Sequence, residues 1–136
     1  MNNFIKKIAN SDKDLFEHFR FTKIGETTNN IQFQRENCII SINYLDCRFN
    51  EWNITIKYKS HIDKTYHGFF FVNSIDPQSA NDLKTIDTST LNGCKEYLRA
   101  FLNFLDTNSE LIFQNDLPEE YQEIYSHSLG IRSSQG

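Results

Sequence analysis

No run of apolar residues in this sequence approaches the roughly 18 that a membrane-spanning helix requires. The longest is Phe69-Phe70-Phe71-Val72. No apolar stretch follows the basic residues Lys6 and Lys7, so the N-terminal segment does not read as a signal peptide. Asn2 and the ending Ser133-Ser134-Gln135-Gly136 carry no lipidation signal. Cysteine is scarce. An odd set, Cys38, Cys47 and Cys94, without paired spacing is no disulfide framework. The expectation is three reduced thiols in a cytoplasmic protein, with Cys38 and Cys94 in the core. Asn53-Ile54-Thr55 is then a chance match to a glycosylation sequon. Glycine is sparse and scattered at Gly25, Gly68, Gly93, Gly130 and Gly136, which excludes a glycine-rich phosphate loop and a Gly-x-Ser-x-Gly nucleophile elbow.

Aromatic residues are abundant: 12 Phe, 6 Tyr and one Trp in 136 residues. A chain of this length forms one domain and buries about two thirds of its unfolded surface without staples. The pattern along it alternates early and becomes helical late. Residues 2–9 suit a short helix, and Ser11 is a candidate N-cap for a second one carrying Leu15, Phe16 and Phe19. A weak strand follows over Phe19–Ile24, then a turn at Thr27-Thr28-Asn29-Asn30. Ile31 and Phe33 alternate with glutamines, Glu36-Asn37 is a tight turn, and Cys38, Ile40, Ile42 and Tyr44 follow at period two.

After a connection over Leu45–Asn50, Trp52, Ile54, Ile56 and Tyr58 form the cleanest half-buried strand. His61-Ile62-Asp63-Lys64 reads as a loop, and Tyr66–Val72 as a central strand covered on both faces. Asn73–Asp87 reads as loop with one helical turn. Thr88 or Ser89 then caps a helix with Leu91, Cys94, Leu98, Phe101 and Leu105 on one face. Leu111-Ile112-Phe113 suits a strand or extended tie. Pro118 suits the first position of a last helix, with Asp116 near its cap, running to about His127 before a stop at Leu129-Gly130. The expected fold is therefore α+β. It has an N-terminal helix, an antiparallel meander sheet of four to five strands, a long C-terminal helix packed on one face, and a short final helix. It forms one domain over residues 1–136, with a flexible tail from about residue 130.

Chemistry is hard to find in these residues. His18, His61, His67 and His127 have no partner at zinc-ligand spacing and read as surface histidines. Cys94 falls on an apolar helix stripe, and Cys47 has no evident base. No metal, cofactor or catalytic set is expected. A net charge of −4 argues against a nucleic-acid footprint. Lys57, Lys59 and Lys64 form a small basic group that keeps an exposed sheet face solvated.

Charge is unevenly spread. Residues 100–131 contain no Lys or Arg but hold Asp106, Glu110, Asp116, Glu119, Glu120 and Glu123. Residues 1–99 hold 13 basic and 12 acidic residues. Such an asymmetry gives a directed field that speeds encounter with a basic partner. Tyr121 and Tyr125 lie one turn apart among the acids, the composition of an interface with aromatic anchors in a charged rim. The competing reading is a solvated helix face with the tyrosines in the core.

Phe16–Phe19 leading into Phe21–Ile24, the hairpins Ile31–Leu45 and Trp52–Tyr58, and the helix Leu91–Leu105 give an element order. With the chain's size and acidity, this order resembles the small immunity proteins of bacterial polymorphic toxin systems, including contact-dependent inhibition. The resemblance implies a cytoplasmic, non-enzymatic protein, a monomer or weak dimer without cofactor, that neutralises a cognate toxin by covering its active site. An acidic member implies a basic toxin such as a nuclease, with Asp and Glu standing where nucleic-acid phosphates would. Two other readings remain. Acidic secretion chaperones are similar in size, but they interleave a helix within the strands and dimerise. A small enzyme or ligand-binding domain would use a Phe-lined cavity between the long helix and the sheet.

Overall fold

The computed structural model describes residues 7–8, 13–44, 52–114 and 116–135, with side chains in the last helix as far as Leu129. The candidate cap Ser11, the Leu45–Asn50 connection and Cys47 lie outside these residues, as does most of the 2–9 helix. Of that helix, Lys7 and Ile8 are helical and Ile8 is buried.

The elements run α1 (Lys13–His18), β1 (Thr22–Glu26), β2 (Asn30–Arg35), β3 (Cys38–Tyr44), β4 (Trp52–Tyr58), β5 (His61–His67), α2 (Gly68–Ile75), α3 (Pro77–Lys84), α4 (Leu91–Thr107), α5 (Ser109–Phe113) and α6 (Glu119–Gln135). The five strands form one antiparallel sheet in sequence order, the expected meander. Its register follows the hydrophobic alternation. Ile31 pairs with Ile42 and Phe33 with Ile40, while Ile42 and Ile40 pair in turn with Ile54 and Ile56. A slip of one residue would turn all of these outward. Glu36, in the tight turn between β2 and β3, adopts φ 54 in the left-handed region.

The helices cover one sheet face. Phe16 of α1 stacks on Phe33, with ring centroids 3.8 Å apart. Phe71 of α2 and Tyr125 of α6 both pack on Tyr66. Tyr97 of α4 meets Trp52, and Phe113 of α5 lies under the Arg35 guanidinium. The other face shows Gln32, Gln34, Asn43, Asn53, Thr55 and Lys57, linked in part by cross-strand hydrogen bonds such as Asn43 Nδ2 to Asn53 Oδ1 at 2.9 Å. This is the one-sided antiparallel sheet that period-two patterning produces.

Several expectations are corrected. His61–Lys64 is part of β5, and the turn is Lys59-Ser60. The run Phe69–Val72 is helix α2, not a central strand; β5 ends at His67 and lies at the sheet's edge. Gly68 permits this abrupt change, because a Cβ there would lie 2.8 Å from the Ile54 carbonyl oxygen and 3.1 Å from the Phe101 ring. The supposed loop over Asn73–Asp87 holds the end of α2 and all of α3. Pro77 starts α3, and the Asp76 carboxylate accepts from Gln78 N at 3.1 Å and Ser79 Oγ at 2.8 Å. The cap of α4 is Thr90, whose hydroxyl accepts from Gly93 N at 2.9 Å. Leu91 is exposed rather than part of the apolar face, while Cys94, Leu98, Phe101, Leu102 and Leu105 are buried as expected. Leu111-Ile112-Phe113 is the end of helix α5. The final helix is long, continuing past Gly130 to Gln135.

Candidate functional site

The acidic stretch spans the end of α4, α5 and the start of α6, and the fold assigns its members different surroundings. Asp106, in the last turn of α4, lies 2.8 Å from Arg35 Nη1. Arg35 is 7% exposed, also donates to the Phe19 carbonyl at 3.1 Å, and sits 4.4 Å above the Phe113 ring. The Asp106 charge thus neutralises a buried cation that ties β2 to the turn after α1, to α4 and to α5. Asp116 does not cap α6. It accepts from Ser60 Oγ at 2.6 Å and lies 2.6 Å from His61 Nε2, pinning the linker before α6 to the β4–β5 hairpin. The first turn of α6 instead uses the Pro118 carbonyl, which accepts from Tyr121 N and Gln122 N.

Tyr125 is buried. Its ring packs against Tyr66 at 4.9 Å and its hydroxyl accepts from the His67 backbone N–H at 2.7 Å. Tyr121 is half-buried against the same core. Both tyrosines therefore face the sheet, and the helix is further held by Lys64 Nζ donating to Gln122 Oε1 at 2.9 Å. Lys64 turns toward the helix layer, so it does not share a patch with Lys57 on the open face.

The opposite side of α6 faces solvent. Glu119, Glu120 and Glu123 are exposed there, as is Glu110 on α5. Ile124 stands among them at 46% exposure. Sequence reasoning passed over Ile124. Its signal was its position directly before Tyr125, since a helix that buries positions 121 and 125 turns 120, 123 and 124 outward. The outward surface thus carries three carboxylates, with the apolar Ile124 on the same face as Glu120, on a helix fixed to the sheet from behind.

Among the described residues no group of three His, Cys, Asp or Glu side chains is placed to hold a metal ion. Cys38 and Cys94 are both buried. Burial pushes the Cys38 thiol up to about 12, with Arg35 only partly opposing the shift, so it stays protonated rather than nucleophilic. Cys94 Sγ donates to the Thr88 carbonyl at 3.2 Å. The space between α4 and the sheet is filled by fully buried Leu98, Phe101, Leu102 and Leu105. Among the described residues, a hollow of about 570 Å³ at one end of the sheet is lined by Thr27, Asn29, Asn30, Asn43, Tyr44, Trp52 and Asn53. No described helix is long and apolar enough to cross a membrane.

No protein-family model matches the chain, and no curated protein or solved structure is significantly similar to it.

Proposed function

We propose that this is a binding protein that neutralises a basic partner, in the manner of a toxin-immunity protein acting in the cytoplasm, through the outward face of α6. The observation that carries the reading is the exposed trio Glu119, Glu120 and Glu123 with the exposed Ile124 beside Glu120, within a stretch of 32 residues that has no Lys or Arg. Carboxylates on a fixed helix attract a basic surface over roughly a Debye length, about 8 Å at physiological salt. Contact then desolvates the apolar centre, which is where interface energy concentrates. Fixing the helix beforehand lowers the ordering cost of binding. A nuclease active site, built to hold phosphates, is the type of basic surface such a face would cover.

The toxin is expected from the gene immediately upstream, and its product should co-purify with this protein. Reversing the three charges together (Glu119→Lys, Glu120→Lys and Glu123→Lys) should lower the association rate about tenfold or more at low ionic strength and flatten its salt dependence. An unchanged rate with unchanged salt dependence would sink the proposal.

A further inference from the structure

Beside the acidic helix, the β4–β5 hairpin and the start of α6 enclose a pocket of about 330 Å³. Tyr58, His61, Asp63, Lys64, Asp116 and Gln122 line it. Tyr58 is only 2% exposed, and among the described residues its hydroxyl oxygen has no hydrogen-bond partner. A buried polar group left unpaired costs stability, so an unmet one in a pocket wall points to a ligand. Burial raises the Tyr58 pKa, and Cys38, Tyr66 and Asp116 add to the shift. The group therefore stays a neutral phenol, whose oxygen can accept.

Two carboxylates join that phenol. Asp116 Oδ1 accepts from Ser60 and Oδ2 lies 2.6 Å from His61 Nε2, which leaves lone pairs on both oxygens. Asp63 is exposed, and among the described residues it makes no hydrogen bond or ion pair. The lining's ammonium is already engaged: Lys64 Nζ donates to Gln122 Oε1 at 2.9 Å and lies 5.2 Å from the Tyr66 ring centroid. The pocket thus offers unfilled acceptors, and it suits a cation rich in donors. A guanidinium carries five N–H groups in a planar fork, pairs with a carboxylate through two bonds, and is more weakly hydrated than an ammonium. The volume lies at the small end of ligand sites, enough for the end of a side chain. Gln122 follows Glu119 by three positions, so the pocket and the acidic face are neighbours on one helix. A basic partner lying on that face can reach the pocket with one side chain.

We propose that this pocket receives an arginine side chain of the basic partner, with Asp63 and Asp116 holding its guanidinium. The proposal rests on the partner reading given above and names the group that the partner inserts. N-acetyl-arginine methylamide is the probe, titrated into the isotope-labelled full chain at constant ionic strength. Saturable amide shifts are expected in the β4–β5 hairpin and in the linker before α6. The citrulline analogue keeps the shape without the charge, and the lysine analogue keeps the charge without the fork; each should bind at least about fivefold more weakly. Asp63→Asn should lower the affinity for the arginine probe by a similar factor of about five. Tyr58→Phe removes a hydroxyl that has no partner, so it should leave the urea midpoint unchanged or raised while weakening the probe about twofold or more. A lowered midpoint would show that the hydroxyl is already satisfied and would overturn the proposal. Equal binding of the citrulline analogue, shifts confined to the outward face of α6, or no saturable response up to about 0.1 M overturns it as well. The titration uses this chain alone, whereas charge reversal on α6 reads association with the partner, so either idea can fail while the other stands.

Discussion

Gly93 shows how a single atom can matter here. A Cβ at this position would lie 1.6 Å from the Asp87 carbonyl oxygen, which is backbone and cannot swing aside. Gly93→Ala must displace the segment that leads into the α4 cap, and we expect a loss of about 2 kcal/mol or more in urea unfolding. Gly25 offers the contrast, since its nearest contact would be the flexible Gln32 side chain at 3.9 Å, and Gly25→Ala should leave stability unchanged or slightly raised. Removing the carboxylate beside Arg35 leaves a buried cation without its counter-charge. The Asp106 side chain is itself 43% exposed, so water replaces part of the lost interaction, and Asp106→Ala should cost about 1 kcal/mol in urea unfolding. Cys38 gives the molecule an alkaline limit. Burial raises its folded pKa from 9.0 to about 12, so above the unfolded value the folded state holds more protons than the unfolded one. Stability is then complete below about pH 9 and falls as pH rises toward 12. Burial shifts the Tyr58 and Tyr97 hydroxyls upward as well, in the same sense. Cys38→Ala should lessen the pH dependence of unfolding in that window.

At the scale of elements, α6 is held by polar links as well as apolar contact. The Tyr125 hydroxyl accepts from His67 N, and Lys64 and Asp116 add side-chain bonds to the edge strand and its hairpin. Tyr125→Phe keeps the ring against Tyr66 but removes one hydrogen bond. A stability loss of about 1 kcal/mol is expected, with faster amide exchange concentrated in α6. If exchange rises equally in β2 and β3, the helix is not docked by this bond. Two of the misread segments also belong to this scale. Four consecutive apolar residues, Phe69–Val72, show neither period two nor period 3.6, so pattern cannot tell a buried strand from a buried helix. The start of α3 was legible, because Asp76-Pro77 is an N-cap followed by proline at the first helical position. Its weakly apolar face, with only Ala80 and Leu83 buried, concealed it.

For the whole molecule, the consequence is two unlike outer surfaces. The sheet's open face is dominated by amides and hydroxyls, while the outward side of α6 carries carboxylates and the exposed Ile124. A binding partner attracted by charge should therefore select the second. Ile124→Ser should weaken association about tenfold by raising the dissociation rate, while charge reversal at Glu119, Glu120 and Glu123 acts on the association rate. Calorimetry or surface plasmon resonance with the upstream gene's product separates the two effects.

The sequence by itself determined the α+β class and the buried faces of β2, β3, β4 and α4. Each is a long periodic pattern, and burial of one face leaves the chain a single low-energy choice. It also determined that the C-terminal quarter carries the negative charge. Tertiary structure alone decided which acids are outward. Asp106 and Asp116 look like Glu119 and Glu123 in the sequence, but one neutralises Arg35 and the other binds Ser60 and His61, partners 71 and 56 residues away for the hydrogen bonds to Arg35 and Ser60. Local pattern cannot reveal such contacts, because they exist only once the sheet and helices are brought together.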